Sequence, residues 1–227
     1  MPRDAYVMNL GLVPYRDGLA LQRSVAEAVS QGAMPDTVLL LEHPPVITLG
    51  RRTDPAELHV PEGAPVEICE TNRGGKSTYH GPGQLVCYPI LDLKRHGQDV
   101  QKYCRDLEQA LIQTLSALEL TATRIEGLTG IWLTPPPRKI ASIGVHISKW
   151  ITTHGYALNV DLDPAPFTEW ITACGIEDAA FTTMARELGR PLTVDDVRDA
   201  AATAIADVFD LELKPQRQTV EEVLVRA

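Results

Sequence analysis

The chain has 227 residues, 44% of them hydrophobic and 22% charged, with a net charge of −9 and a pI near 5.1. That balance suits one sizeable buried core, excludes a disordered chain, and has the wrong sign for a general nucleic-acid binder. No apolar run approaches the roughly 20 residues of a membrane-spanning helix, since Val38 to Leu41 is closed at once by Glu42, His43 and Pro44, so no membrane partner is expected.

From the N-terminus, which carries no apolar secretory stretch and points to a cytoplasmic location, Tyr6 to Val13 reads as a strand. Leu19, Leu21, Val25, Ala26 and Val29 then recur at near-helical spacing, and Thr37 to Leu41 is a second strand. Val46 to Leu49 is a short strand between Pro44-Pro45 and Gly50, and Val66 to Glu70 alternates again. Asn72 to Gly83 breaks into a loop, after which Gln84 to Leu91 resumes as an apolar strand. Asp99 is a plausible N-cap for a helix with Val100, Tyr103, Cys104, Leu107, Leu111, Leu115 and Leu118 on one stripe, which makes Cys104 a core residue. Ala122 to Ile125, Ile131 to Leu133, Lys139 to Ile147 and Trp150 to Val160 follow as strands separated by turns. Thr193 and Asp196 form a variant capping box for a helix to about Phe209, and Val220 to Val225 reads as a last short helix.

Central strands with helices at both ends predict one α+β domain, 1–227, with helices packed on a mixed, largely antiparallel sheet. The glycine loop precedes a strand, so it cannot set phosphate on a helix N-terminus as dinucleotide and Walker fingerprints do. The segment Arg73-Gly74-Gly75-Lys76-Ser77-Thr78-Tyr79-His80-Gly81-Pro82-Gly83-Gln84 instead reads as a binding loop: glycines allow close backbone approach, and Tyr79 and His80 could wall a narrow slot.

The four cysteines, Cys69, Cys87, Cys104 and Cys174, form no CxxC pair, which disfavours a disulfide framework or a zinc ribbon. Cys69 and Cys87 lie in strand patterns and Cys104 on a helix stripe, whereas Cys174 stands outside any periodic segment and precedes Gly175. A thiol attacks only as thiolate, so a nucleophilic Cys174 needs a neighbour that favours the charged form. Lys139, His80, His146 and His154 are the candidates, and spacing does not choose among them. The bland alternatives are a small buried cysteine and a solvated strand-edge lysine.

The loop resembles the signature of the lipoyl(octanoyl) transferase family, Arg-Gly-Gly, two variable residues, Thr-aromatic-His, then Gly-Pro-Gly-Gln, and every fixed position is matched. Further matches occur in the family's order: His43-Pro44-Pro45-Val46 with Thr48 and Gly50, Lys139-Ile140-Ala141-Ser142-Ile143-Gly144, His154-Gly155-Tyr156-Ala157-Leu158-Asn159-Val160, and Cys174-Gly175-Ile176. The resemblance spans roughly Asn9 to Gly189. It departs from the family at Ala173, where proline is usual, which leaves the approach to the cysteine less constrained.

The resemblance implies the fold of biotin and lipoate protein ligase catalytic domains. It also implies transfer of an octanoyl group from acyl-carrier protein, through a thioester on Cys174, to the lysine of lipoyl domains. Those acceptors would belong to 2-oxoacid dehydrogenase complexes and to the glycine cleavage H protein. Lys139 would lower the pKa of Cys174, and Arg73 to His80, Ser142, Ile143, Gly144, Gly155, Tyr156 and Ala157 would line the acyl pocket. No cofactor is implied beyond the phosphopantetheine that carries the acyl group, and no metal. Between Arg73 and Lys149 ten basic residues face six acidic ones, and Arg51, Arg52, Lys76 and Arg138 are candidates for docking acidic partners. The rival readings are an ATP-dependent ligase, a non-catalytic acyl-binding module, and a cysteine hydrolase.

Overall fold

The opening strand, helix and strand are β1 (Arg3–Leu12), α1 (Tyr15–Ser30) and β2 (Asp36–Glu42) in a computed structural model that describes residues 1–172 and 180–216. In α1 the buried positions Tyr15, Gly18, Leu21, Gln22, Val25 and Val29 recur every three or four residues and form one apolar face. Strands β3 (Val46–Leu49), β4 (Glu67–Glu70) and β6 (Gln84–Ile90) lie within a residue of the expected bounds. The glycine segment is not all loop. It contains β5 (Thr78–His80), which pairs antiparallel with β3, Ile47 opposite Tyr79, so cross-strand pairing wins over local glycine content.

The middle comprises α2 (Val100–Ala117) and strands β7 (Thr123–Ile125), β8 (Leu128–Leu133), β9 (Arg138–Ser148) and β10 (Ile151–Asn159). Asp99 caps α2 by accepting from the Lys102 N–H at 2.9 Å. Short helices α3 (Pro166–Glu169) and α4 (Met184–Leu188) precede α5 (Val194–Phe209), which opens on a complete Thr193–Asp196 capping box. Strand β11 (Leu211–Pro215) follows, and the expected helix at 220–225 lies outside the described residues.

Eight strands form one sheet in the order β11-β1-β2-β6-β10-β9-β8-β7, and β4-β3-β5 form a second. Only the β11–β1 and β1–β2 pairs are parallel in the large sheet; the others are antiparallel. This is the mixed, largely antiparallel α+β architecture that the sequence predicts. Period-two alternation decides the layers. Val38, Leu40, Leu85, Cys87 and Leu158 pack with α2 and α5, while Leu39, Leu41, Val86, Tyr88 and Ala157 pack with α1. Among the described residues, no helix is long and apolar enough to cross a membrane.

A third cluster ties the small sheet to the residues on both sides of segment 173–179. Tyr79 packs edge-on against Phe167 and Trp170, with centroids 5.7 and 6.0 Å away, and Phe167 stacks on Phe181 at 4.4 Å. The Thr172 N–H donates to the Glu57 carbonyl at 2.9 Å, and the Lys139 N–H donates to the Ala180 carbonyl at 2.8 Å.

Candidate active site

A cavity of about 410 Å³ opens over strands β6, β9 and β10, within the range of roughly 300–1,000 Å³ usual for small-molecule sites. Its wall gathers Arg73 to Thr78 and His80 from the glycine segment, Ser142 to Gly144 from β9 and Gly155 to Ala157 from β10. Lys139 lines it too. Tyr79 does not, because its ring is engaged by Phe167 and Trp170. Alternation explains the exception: one residue of a strand faces the ligand side and the next faces away.

Sequence reasoning missed Tyr15, Val86, Tyr88, Gly127 of the β7–β8 turn, and Leu128 and Thr129 at the start of β8, all of which line the cavity. Val86 and Tyr88 had a usable signal, the alternation of an apolar strand directly after the loop. Tyr15 had none, since it arrives from the first turn of α1.

The loop rests directly on the sheet. The Gly74 N–H donates to the Val145 carbonyl at 2.8 Å, and Gly144 stands opposite Gly155 in the β9–β10 ladder. A Cβ on Gly144 would lie 3.2 Å from Arg73 Cδ and from the Gly74 carbonyl oxygen, and one on Gly155 would overlap the Cys87 carbonyl and sit 2.8 Å from Pro89 Cδ. A side chain at Gly144 would press on the loop, and one at Gly155 would force β10 away from β6.

Arg73, 6% exposed, is the bracket for that loop. Its Nη1 donates to the carbonyls of Gly74 and Lys76 at 3.0 and 2.8 Å, and its Nη2 donates to the Thr48 carbonyl at 2.6 Å. Nε and Nη2 also reach Thr48 Oγ1 at 3.2 and 2.8 Å. A planar fork satisfies backbone oxygens from two segments at once.

Three buried histidines are held neutral. Gln84 Nε2 donates to Asn159 Oδ1 at 3.0 Å, which leaves Gln84 Oε1 to accept, so the proton of His80 sits on Nδ1, 2.7 Å away. Burial, with a smaller contribution from His43, pushes the pKa of His80 down to about 3. His43 donates from Nδ1 to the Val13 carbonyl at 2.7 Å and accepts from Tyr88 OH at 2.8 Å, and burial lowers it to about 4. His154 contacts Asn72 Oδ1 through Nε2 at 2.8 Å, and burial followed by Arg73 lowers it to about 3. His146 is also lowered, by burial and then by Arg51.

Lys139 is 1% exposed, which rules out the solvated strand-edge reading. Beyond its N–H bond to Ala180, its carbonyl accepts from the Thr182 N–H at 3.0 Å, so residues 180–182 run alongside the start of β9. Cys174 lies outside the described residues. The other three cysteines are poor nucleophiles: burial is the leading cause that raises each thiol pKa, to about 12 for Cys87. Cys104 is not the core residue expected from its stripe; it is half-buried and lines the cavity.

The docking candidates divide. Arg138 is bound by both oxygens of Glu187 at 2.8 Å, and Lys76 pairs with Glu57. Arg51 and Arg52 are exposed and have no carboxylate partner among the described residues.

Residues 14–206 match the family model for the lipoyl protein ligase A/B catalytic domain. An octanoyltransferase of Myxococcus xanthus is 46% identical over 234 residues, covering 97% of this chain and 64% of that protein. An octanoyltransferase of Mycobacterium tuberculosis is 51% identical over 206 residues, covering 90% of this chain and 86% of that protein. Among solved structures, a bipartite lipoate protein ligase from Thermoplasma acidophilum matches with a TM-score of 0.78 at 14% identity, over 99% of this chain and 91% of that one. The biotin protein ligase of Aquifex aeolicus in complex with biotin and ATP matches at 0.56 and 14%, over 91% and 70%. The structural likenesses show a shared fold; the sequence matches show that this chain belongs to the lipoyl(octanoyl) transferase family.

Proposed function

We propose that the chain is an acyltransferase that moves an octanoyl group from the phosphopantetheine arm of acyl-carrier protein to the lysine of a lipoyl domain, through a thioester on Cys174. The observation that carries this reading is a buried lysine, Lys139, on the wall of a partly apolar cavity and hydrogen-bonded to Ala180, where the segment bearing Cys174 rejoins the described chain. Two relatives named octanoyltransferase support it. Val86, Leu128, Ile143, Val145 and Ala157 supply apolar wall, and seven buried carbons beyond a carbonyl are worth on the order of 5 kcal/mol before ordering costs.

In the first half-reaction the Cys174 thiolate attacks the donor thioester carbonyl, the acyl–sulfur bond to the donor breaks, and the donor thiolate leaves as a thiol with the proton of the Lys139 ammonium, which becomes the neutral amine. An adjacent ammonium favours the thiolate form of Cys174, and Lys139 is the residue suited to supply it. In the second, the acceptor lysine amine attacks the acyl-enzyme, gives up a proton to the Lys139 amine, and expels the Cys174 thiolate. The neutral histidines of the wall neither compete for that proton nor add a further positive charge beside the acyl chain.

Transfer assayed with octanoyl-carrier protein and a lipoyl domain, without ATP, should yield one octanoylated lysine. Modification that appears only with ATP and free octanoate would instead assign a ligase. Release of free octanoate with the acceptor present would assign a hydrolase.

A further inference from the structure

The terminus of Lys139 rests on two residues of β8 to which neither the sequence motifs nor the matched names give a role. Ile131 pairs with Ala141 and Trp132 with Lys139, so Ile140 is an extra residue on β9 and the ladder shifts there. A bulge of this kind re-aims the side chain beside it. The Lys139 Nζ lies 5.5 Å from the Trp132 ring centroid, and Trp132 is only 2% exposed. Beneath the same side chain is Gly130, at φ +102°, where a Cβ would overlap the Ala141 carbonyl oxygen and lie 2.7 Å from Lys139 Cε and 3.3 Å from Nζ. The Trp132 Nε1–H is itself buried without a hydrogen-bond partner among the described residues, a polar cost that a phenyl ring would avoid.

We propose that Trp132 and Gly130 are positioning residues that seat the Lys139 ammonium at the cavity wall, the indole by attraction between its π face and the cation, the glycine by leaving the space in which the lysine lies. The seat acts through Lys139, and this inference rests on the acyl-thioester reading given above. A tryptophan face is the strongest aromatic partner for a cation, and the desolvated setting increases the attraction. Gly130 serves the same end sterically: a methyl group there would displace either the lysine terminus or the strand.

The test is a double-mutant cycle in the full chain, read as the rate at which iodoacetamide alkylates Cys174 at fixed pH, followed by peptide mass spectrometry. Lys139→Ala should slow alkylation. Trp132→Leu should slow it by roughly tenfold in the wild-type background and leave it unchanged in the Lys139→Ala background. An equal slowing in both backgrounds would mean that Trp132 is packing alone, and overturns the seat. If Lys139→Ala by itself leaves alkylation unchanged, the pairing of Cys174 with Lys139 falls, and the seat falls with it. Should Trp132→Leu not fold by thermal melting, Trp132→Phe goes through the same cycle, with about a threefold effect expected in the wild-type background alone. In turnover, the Trp132 variant should lose kcat and keep its KM for the acyl donor.

Discussion

Two buried basic side chains, Arg73 and Lys139, line the same cavity and are suited to opposite work. Arg73 spends its fork on the oxygens of Thr48, Gly74 and Lys76 and so builds the loop that forms one wall. Lys139 presents a single ammonium over an aromatic face, beside a glycine, on a strand whose bulge aims it. The contrast follows from the side chains: a planar, permanently charged guanidinium suits a fixed bracket, whereas a point-like amine that can lose its proton suits chemistry.

The largest effect that can break this comparison is on Lys139. Lys139→Ala should lower kcat for octanoyl transfer by roughly 10²–10⁴-fold, with the melting temperature changed far less than the rate, because the proposed mechanism makes Lys139 its proton-transfer group. A kcat close to wild type in steady-state assays would remove the distinction between the two side chains.

Arg73→Lys tests the other side of it. The charge is kept and the fork is lost, so carbonyls of the loop are left without donors, and urea unfolding should show a loss of about 2–4 kcal/mol. KM for the acyl donor should rise as the wall loosens. A variant as stable as wild type would deny Arg73 its bracket role.

The neutral histidines near the bracket give a pH signature. His43, His80 and His154 fall from 6.5 to about 4, 3 and 3 in the fold, so below pH 6.5 the unfolded chain binds protons that the folded chain refuses. Their contribution is complete above pH 6.5 and is lost as pH falls, toward 4 for His43 and toward 3 for His80 and His154, by up to about 1.4 kcal/mol per histidine per pH unit. Melting followed from pH 7 to pH 4.5 should show this decline, and Gln at position 43 should make it shallower.

The smallest effect concerns the surface. Reversing Arg51 and Arg52 together to Glu should slow transfer from an acidic carrier a few-fold at low salt and abolish part of its salt dependence, while Arg138→Ala, whose charge is already held by Glu187, should leave that dependence unchanged.

Much of this was legible in the chain. The apolar runs within Thr37 to Leu41 and Gln84 to Leu91 marked two sheet strands, and the Asp99 and Thr193 caps marked two helix starts. The density of glycines and donors from Arg73 to Gly83 marked the loop, yet it concealed β5, because strand pairing with Val46 to Thr48 depends on distant residues. Tyr79 was misplaced for the same reason: its aromatic partners Phe167 and Trp170 are far along the chain. The Trp132–Lys139 contact was invisible too, since a one-residue bulge at Ile140 sets the pairing and leaves no local mark.

Intact-mass measurement of the enzyme after brief incubation with octanoyl-carrier protein, without acceptor, tests the acyl-enzyme most directly. The account predicts one added octanoyl group, mapped to Cys174, absent from Cys174→Ala and discharged when a lipoyl domain is added. Transfer at the wild-type rate by Cys174→Ala, or an octanoyl group found on another residue and passed on to the acceptor, would contradict it.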